Sequence, residues 1–95
     1  MASEPTIAAQ FAVNLKRCRN DADLSQEEVG IRASLHRTEI SQLERGLRVA
    51  RIDTLVKLAG GLGVDPLALL DGIEWTPGSV QLGGFELRPA SSSDK

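Results

Sequence analysis

The sequence predicts an all-α fold, a five-helix bundle, that carries a short C-terminal β-hairpin or extended tail. Three observations predict it. Up to residue 73, apolar side chains recur every three or four positions in separate short segments, the period of helices that bury one face. Helix-start signals stand between those segments: Ser25 three residues before Glu28, and Asp65 followed by Pro66. Beyond residue 73 the pattern switches to alternation about Gly83-Gly84. The chain thus divides into a helical domain over 1–73, a hairpin over 74–88 and a tail over 89–95, whose S-S-S-D-K ending reads as disordered.

Ile7, Phe11, Leu15, Cys18 and Ala22 share one face of a first helix from about 6 to 21, capped by Thr6 or Ser3. It ends near Asp21 to Asp23, where Asp tolerates the left-handed conformation better than most residues. Ser25 and Glu28 form a capping box, so a second helix starts at Gln26 and runs to about 32. Gly30 inside it should cost up to about 1 kcal/mol in helix propensity. A third helix spans 37–44. Ile52, Leu55, Leu58, Ala59 and Leu62 make a fourth that stops at Gly63, with Gly60-Gly61 loosening its last turn. Asp65 and Pro66 open a short fifth helix bearing Leu67, Leu69 and Leu70, and Asp71-Gly72 closes it. In the tail, a two-residue Gly-Gly turn would pair Val80 with Leu87 and Leu82 with Phe85. An isolated hairpin is marginal in water, so its apolar face needs a cover.

Ninety-five residues, 41% of them hydrophobic, make one small core and leave no room for a separate catalytic domain. One Cys and one His exclude a disulfide framework and argue against a zinc site, which suits the reducing cytoplasm. No apolar run approaches the roughly 20 residues of a membrane span, and M-A-S-E-P lacks the features of a signal peptide. Overall charge is −2, yet residues 14 to 57 hold nine bases against seven acids. The positive stretch coincides with the segment of greatest interest, although weak charge should keep non-specific binding to nucleic acid modest.

That segment, S-Q-E-E-V-G-I-R-A-S-L-H-R-T-E-I-S-Q-L-E-R-G over 25–46, spells two short helices joined by a tight turn. Such a layout sets a helix into the major groove of DNA. Val29, Leu35, Ile40 and Leu43 can face a common core, which leaves Arg37, Thr38, Ser41 and Gln42 as an outward polar face. Arg37 has the donor fork for guanine O6 and N7, and Gln42 the donor-acceptor pair for adenine N6 and N7. Glu39 has two readings, a capping box to the His36 amide, which is favoured, or an acceptor for cytosine N4. His36 itself is expected as a cap or phosphate donor, and Arg45, Arg48 and Arg51 in or beside the following loop as phosphate contacts.

This stretch resembles the helix-turn-helix of the lambda-repressor/Cro-like family, also called the XRE family. The resemblance extends to L-K-R-C-R (15–19), L-E-R-G-L-R (43–48), D-T-L-V-K-L-A (53–59), L-G-V (62–64) and L-L-D-G (69–72), covering roughly 7 to 73. It implies a five-helix lambda-repressor-like DNA-binding bundle. By position it carries base contacts onto Arg37, Thr38 and Gln42 with Ser41 beside them, a phosphate contact onto Gln26, and a structural ion pair onto Arg19 and Glu44. Asp21 to Asp23 and Ser34 stand where the family usually has Gly, and Gly30 where it usually has Ala.

Two functions are weighed. The first is a homodimeric, sequence-specific DNA-binding regulator, most simply a repressor, reading palindromic half-sites one helical turn apart, roughly 34 Å. Leu67, Leu70, Trp75, Val80, Leu82, Phe85 and Leu87 form the apolar surface the core does not obviously use, and are expected to build the dimer. The second is a protein-interaction module, an antitoxin-like or accessory subunit whose tail holds a protein partner. Double-stranded DNA is the partner of the first reading; neither requires a cofactor or metal. Cys18 reads as a small buried apolar group, and no nucleophile, base and orienter occur together, so an enzyme is not expected.

Overall fold

The computed structural model describes residues 6–79 and 82–88. Helix α1 (Ile7–Asp21) is capped by Thr6, whose Oγ1 accepts the Ala9 amide at 3.0 Å. Helix α2 (Gln26–Ala33) starts on the full capping box: the Glu28 amide donates to Ser25 Oγ at 3.0 Å, and the Ser25 amide to Glu28 Oε1 at 2.8 Å. Helices α3 (Arg37–Glu44), α4 (Ile52–Leu62) and α5 (Pro66–Leu69) follow. Gly63 ends α4 in the left-handed region, and the Asp65 side chain caps α5.

Ser34 and Asp23 take up the left-handed turns at the ends of α2 and α1, with φ of 58° and 60°. Both are short polar residues, the kind that tolerates this conformation best after Gly and Asn. Two other glycines serve close approach. A Cβ on Gly30 would lie 2.7 Å from the Leu35 carbonyl oxygen, so the turn into α3 folds directly over the α2 backbone. A Cβ on Gly61 would meet the Ala33 backbone at 3.2 Å, so this glycine lets α4 press against α2 where a loosened turn was expected.

Phe11, Leu15, Cys18, Val29, Ala33, Ile40, Leu43, Leu58, Ala59, Leu62 and Leu69 form one core drawn from all five helices. Ile52 stays outside it, 80% exposed, because it opens α4 ahead of the turn that Leu55 and Leu58 bury. Two polar side chains of α1 are buried among these apolar ones. Asn14 Nδ2 donates to the carbonyls of Leu69 at 3.0 Å and Asp71 at 2.8 Å, and Gln10 Nε2 reaches Asp71 O at 3.3 Å. They satisfy carbonyls freed where α5 stops.

The hairpin differs from the expected one. Its strands are β1 (Ile73–Thr76) and β2 (Gly84–Leu87), antiparallel, pairing Ile73 with Leu87 and Trp75 with Phe85. It begins at Ile73, inside the segment assigned to the helical domain, and Gly84 starts a strand instead of making the turn. Leu82 does not pair with Phe85 and is 97% exposed; Val80 and the tail over 89–95 lie outside the described residues. The reason is anchorage. Ile73 packs on the helical core, and the Arg88 amide donates to Gly72 O at 2.7 Å at the base of the ladder. Trp75 and Phe85 then meet edge to face, centroids 5.0 Å apart, a contact worth about 0.5–1.5 kcal/mol beyond area. A Val80-centred hairpin would have neither.

Candidate nucleic-acid interface

Helix α3 presents two faces of opposite character. Ile40, Leu43 and Glu44 are buried, while Arg37 and Thr38 at its N-terminal end are exposed and Ser41 and Gln42 are half-buried. The exposed face continues into Arg45, Arg48 and Arg51, all on the surface. Arg37 makes no hydrogen bond or ion pair among the described residues, so its five donors stand free.

The N-cap of α3 is His36, but its side chain caps nothing. The favoured capping box is also not formed: Glu39 turns toward the following loop, where Oε2 lies 4.0 Å from Arg48 Nη2. Arg48 Nη1 in turn donates to Gln42 Oε1 at 3.2 Å. Glu39, Gln42 and Arg48 thus form a chain of polar contacts along one edge of the helix. Arg45 Nε leans back on Ser41 O at 3.4 Å, and Arg51 pairs loosely with Asp53 at 3.4 Å with both side chains mostly exposed.

Behind this face, Arg19 of α1 holds Glu44 at the end of α3. Arg19 Nε lies 2.5 Å from Oε2 and Nη2 2.9 Å from Oε1, and Nη1 donates to Leu24 O at 2.9 Å. Hydrogen bonding to Glu44 pushes the Arg19 guanidinium further up from its already high ordinary value, so it stays charged. Gln26 joins the same cluster, donating from Nε2 to Glu44 Oε1 at 3.1 Å. Its amide is therefore turned inward, toward the ion pair, and ties the first residue of α2 to the last of α3.

The other residues singled out in the sequence lie elsewhere. Leu67, Trp75 and Phe85 are largely exposed and Leu70 and Leu87 half-buried around α5 and the hairpin. Phe85 and Leu70, with Ile7, Phe11, Val49, Ala50, Leu55 and Ile73, line an apolar cleft of about 100 Å³. Exposed Val49, Ile52 and Val56 extend the apolar surface along the start of α4. Sequence reading assigned Ile52 to the buried stripe of this helix and passed over Val49 and Val56, although the spacing of Ile52 and Val56, one turn apart, places them on a common face. Asn14 and Gln10 were missed as well; the signal was a polar residue inside the apolar stripe of α1, next to Leu15 and between Phe11 and Cys18. No helix among the described residues is long and apolar enough to cross a membrane.

The helix-turn-helix domain family matches residues 10–71, which takes in most of α1 and all of α2 to α5 but stops before the hairpin. Control protein C.BamHI of Bacillus amyloliquefaciens is 44% identical over 62 residues, 64% of this chain and 76% of that protein. An uncharacterized HTH-type transcriptional regulator, y4dJ, of Sinorhizobium fredii is 39% identical over 64 residues, 67% of this chain and 83% of the regulator. Among solved structures, the restriction-modification controller protein C.AhdI from Aeromonas hydrophila superposes with a TM-score of 0.63 at 31% identity, over 65% of this chain and 94% of the controller. From the capped α2, the tight turn, the exposed N-terminal end of α3 and these matches, the chain belongs to the helix-turn-helix family of the Cro/C1 type.

Proposed function

We propose that this protein is a DNA-binding transcription regulator, most simply a repressor, that occupies a palindromic operator in the cytoplasm as a homodimer. The observation that carries the reading is α3 itself: Arg37 and Thr38 project free at its outer end while Ile40, Leu43 and the Arg19–Glu44 pair lock its inner side. A rigid helix with a free guanidinium at its leading end is what reading base edges in the major groove requires. We assign the flanking phosphate contacts to His36, the N-cap residue at that end, and to the exposed Arg45, Arg48 and Arg51 that follow the other end of α3. We assign the dimer contact to the apolar surface of α5 and the hairpin, Leu67, Leu70, Trp75, Leu82, Phe85 and Leu87, together with Val49 on the adjoining cleft. Similarity to control proteins of restriction-modification supports a narrower version, in which the operator lies beside genes of such a system.

Selection of duplexes from a random pool by the purified full chain tests the reading. It should return a two-fold symmetric motif with half-sites roughly 34 Å apart. Equal affinity for every duplex, or none, would sink it. Trp75→Glu combined with Phe85→Glu should shift the protein to a monomer in sedimentation equilibrium and weaken operator binding; a persistent dimer would remove the hairpin from the contact.

A further inference from the structure

We infer that Arg48 is a specificity-determining residue: by holding the side-chain oxygen of Gln42, it turns Gln42 into a donor-only reader that favours guanine over adenine. The inference rests on the DNA-reading role proposed for α3. A guanidinium carries donors and no acceptor, so the Gln42 atom that faces Arg48 Nη1 at 3.2 Å is the oxygen, whichever way the amide would otherwise be turned. Recognition of adenine by an amide needs that same oxygen to accept from N6 while the NH2 donates to N7. With the oxygen engaged on the Arg48 side, the NH2 is left to face the base pair. Guanine, which offers acceptors at both N7 and O6, suits it; adenine places its N6 donor against it.

Glu39 adds a second contact to Arg48. It lies three residues before Gln42, on the same edge of α3, and its Oε2 stands 4.0 Å from Arg48 Nη2. Arg48 is thereby held between two side chains of the reading helix. Its charge is partly offset by Glu39, which weakens it as a phosphate clamp and leaves orientation of Gln42 as the role its geometry favours. Entry into the groove removes water from this cluster, and a hydrogen bond to a charged donor strengthens as the surroundings lose water.

The test measures affinity of the full chain for its selected operator and for operators carrying each base pair at every half-site position. Gln42→Ala should flatten the preference at one position, which marks the base pair that Gln42 reads. There the unaltered protein should prefer the guanine-bearing pair over the adenine-bearing pair by roughly tenfold. Arg48→Met, which keeps the aliphatic stem, should move that ratio toward adenine by roughly fivefold or more, leave the position read by Arg37 unchanged, and add no change of preference in the Gln42→Ala background. An unchanged guanine-to-adenine ratio in Arg48→Met, an adenine preference in the unaltered protein, or no position flattened by Gln42→Ala would each overturn the inference. Absence of any selected operator would instead count against the DNA-reading role itself.

Discussion

Arg19 and Glu44 meet side-on, Nε to Oε2 and Nη2 to Oε1, with the carboxylate side chain 2% exposed and the guanidinium 16%. The pair joins the first helix to the last residue of the reading helix, so its worth lies in where it holds α3. The two partners are not equivalent when one is lost. Glu44 without Arg19 is a buried charge left with Gln26 alone, whereas Arg19 without Glu44 keeps the Leu24 carbonyl and some water.

Arg19→Met is therefore expected to destabilise the fold by about 3–5 kcal/mol, the cost of stranding one member of a buried pair. Glu44→Met should cost less. Urea unfolding of the two variants checks the order, and a larger loss from Glu44→Met would show that Arg19 is the more tightly enclosed partner.

Asn14 is the second polar lock, and it acts on the opposite end of the bundle. Its amide satisfies the Leu69 and Asp71 carbonyls, which places the end of α5 and with it the base of the hairpin. Asn14→Ala leaves buried acceptors short of a donor and is expected to cost about 2–3 kcal/mol. Trp75 is the single tryptophan and sits on β1, so its fluorescence should report hairpin loosening at lower urea than circular dichroism reports helix loss. Coincident transitions would mean that the clamp does not hold the hairpin separately.

The helices were legible because their ends are written locally. Ser25 with Glu28, Asp65 with Pro66, and Gly63 each satisfy or terminate a backbone within a few residues of themselves, and all three ends fall where the sequence places them. The core followed from the helical period, except at Ile52, where the period holds and the neighbours are missing. The hairpin was misread because Gly83-Gly84 is a local turn signal, while the true partner of β2 is chosen by Ile73 being anchored on the distant core. At the reading face, the sequence identifies which residues point outward but not what they touch. The contacts of Gln26 with Glu44 and of Arg48 with Gln42 join long side chains across loops, and no spacing rule encodes them.

The Ser25–Glu28 box makes a pH-dependent contribution. Hydrogen bonds from the Ser25 backbone and side chain hold the Glu28 carboxyl below its ordinary value of 4.5. A carboxyl lowered in the folded state stabilises it fully above its unfolded pKa, and that contribution drains away as pH falls through the folded value. Ser25→Ala should cost about 1 kcal/mol at neutral pH through loss of the cap. Glu28→Gln removes the titrating group, so denaturant midpoints between neutral pH and pH 3 should show the gap between that variant and the unaltered protein narrowing with acid; a gap that stays constant would mean the Glu28 carboxylate is not linked to folding.

Arg37 is the sharpest test of how α3 reads DNA, because it opens the helix and has no partner within the described chain that would compete with a base. Removing it leaves the fold unstrained, since no side-chain hydrogen bond of Arg37 is lost among the described residues. Arg37→Ala is expected to cost about 1–3 kcal/mol on the selected operator and to relax preference at one base pair, while binding to random duplex changes little. The contrast between the two substrates carries the argument. A phosphate contact would weaken both alike and lower the salt dependence of both by about one counterion. Titration of operator and random duplex at several salt concentrations separates the two cases. Equal losses with a reduced slope would make Arg37 a backbone anchor and move base reading further along the helix, to Thr38, Ser41 and Gln42.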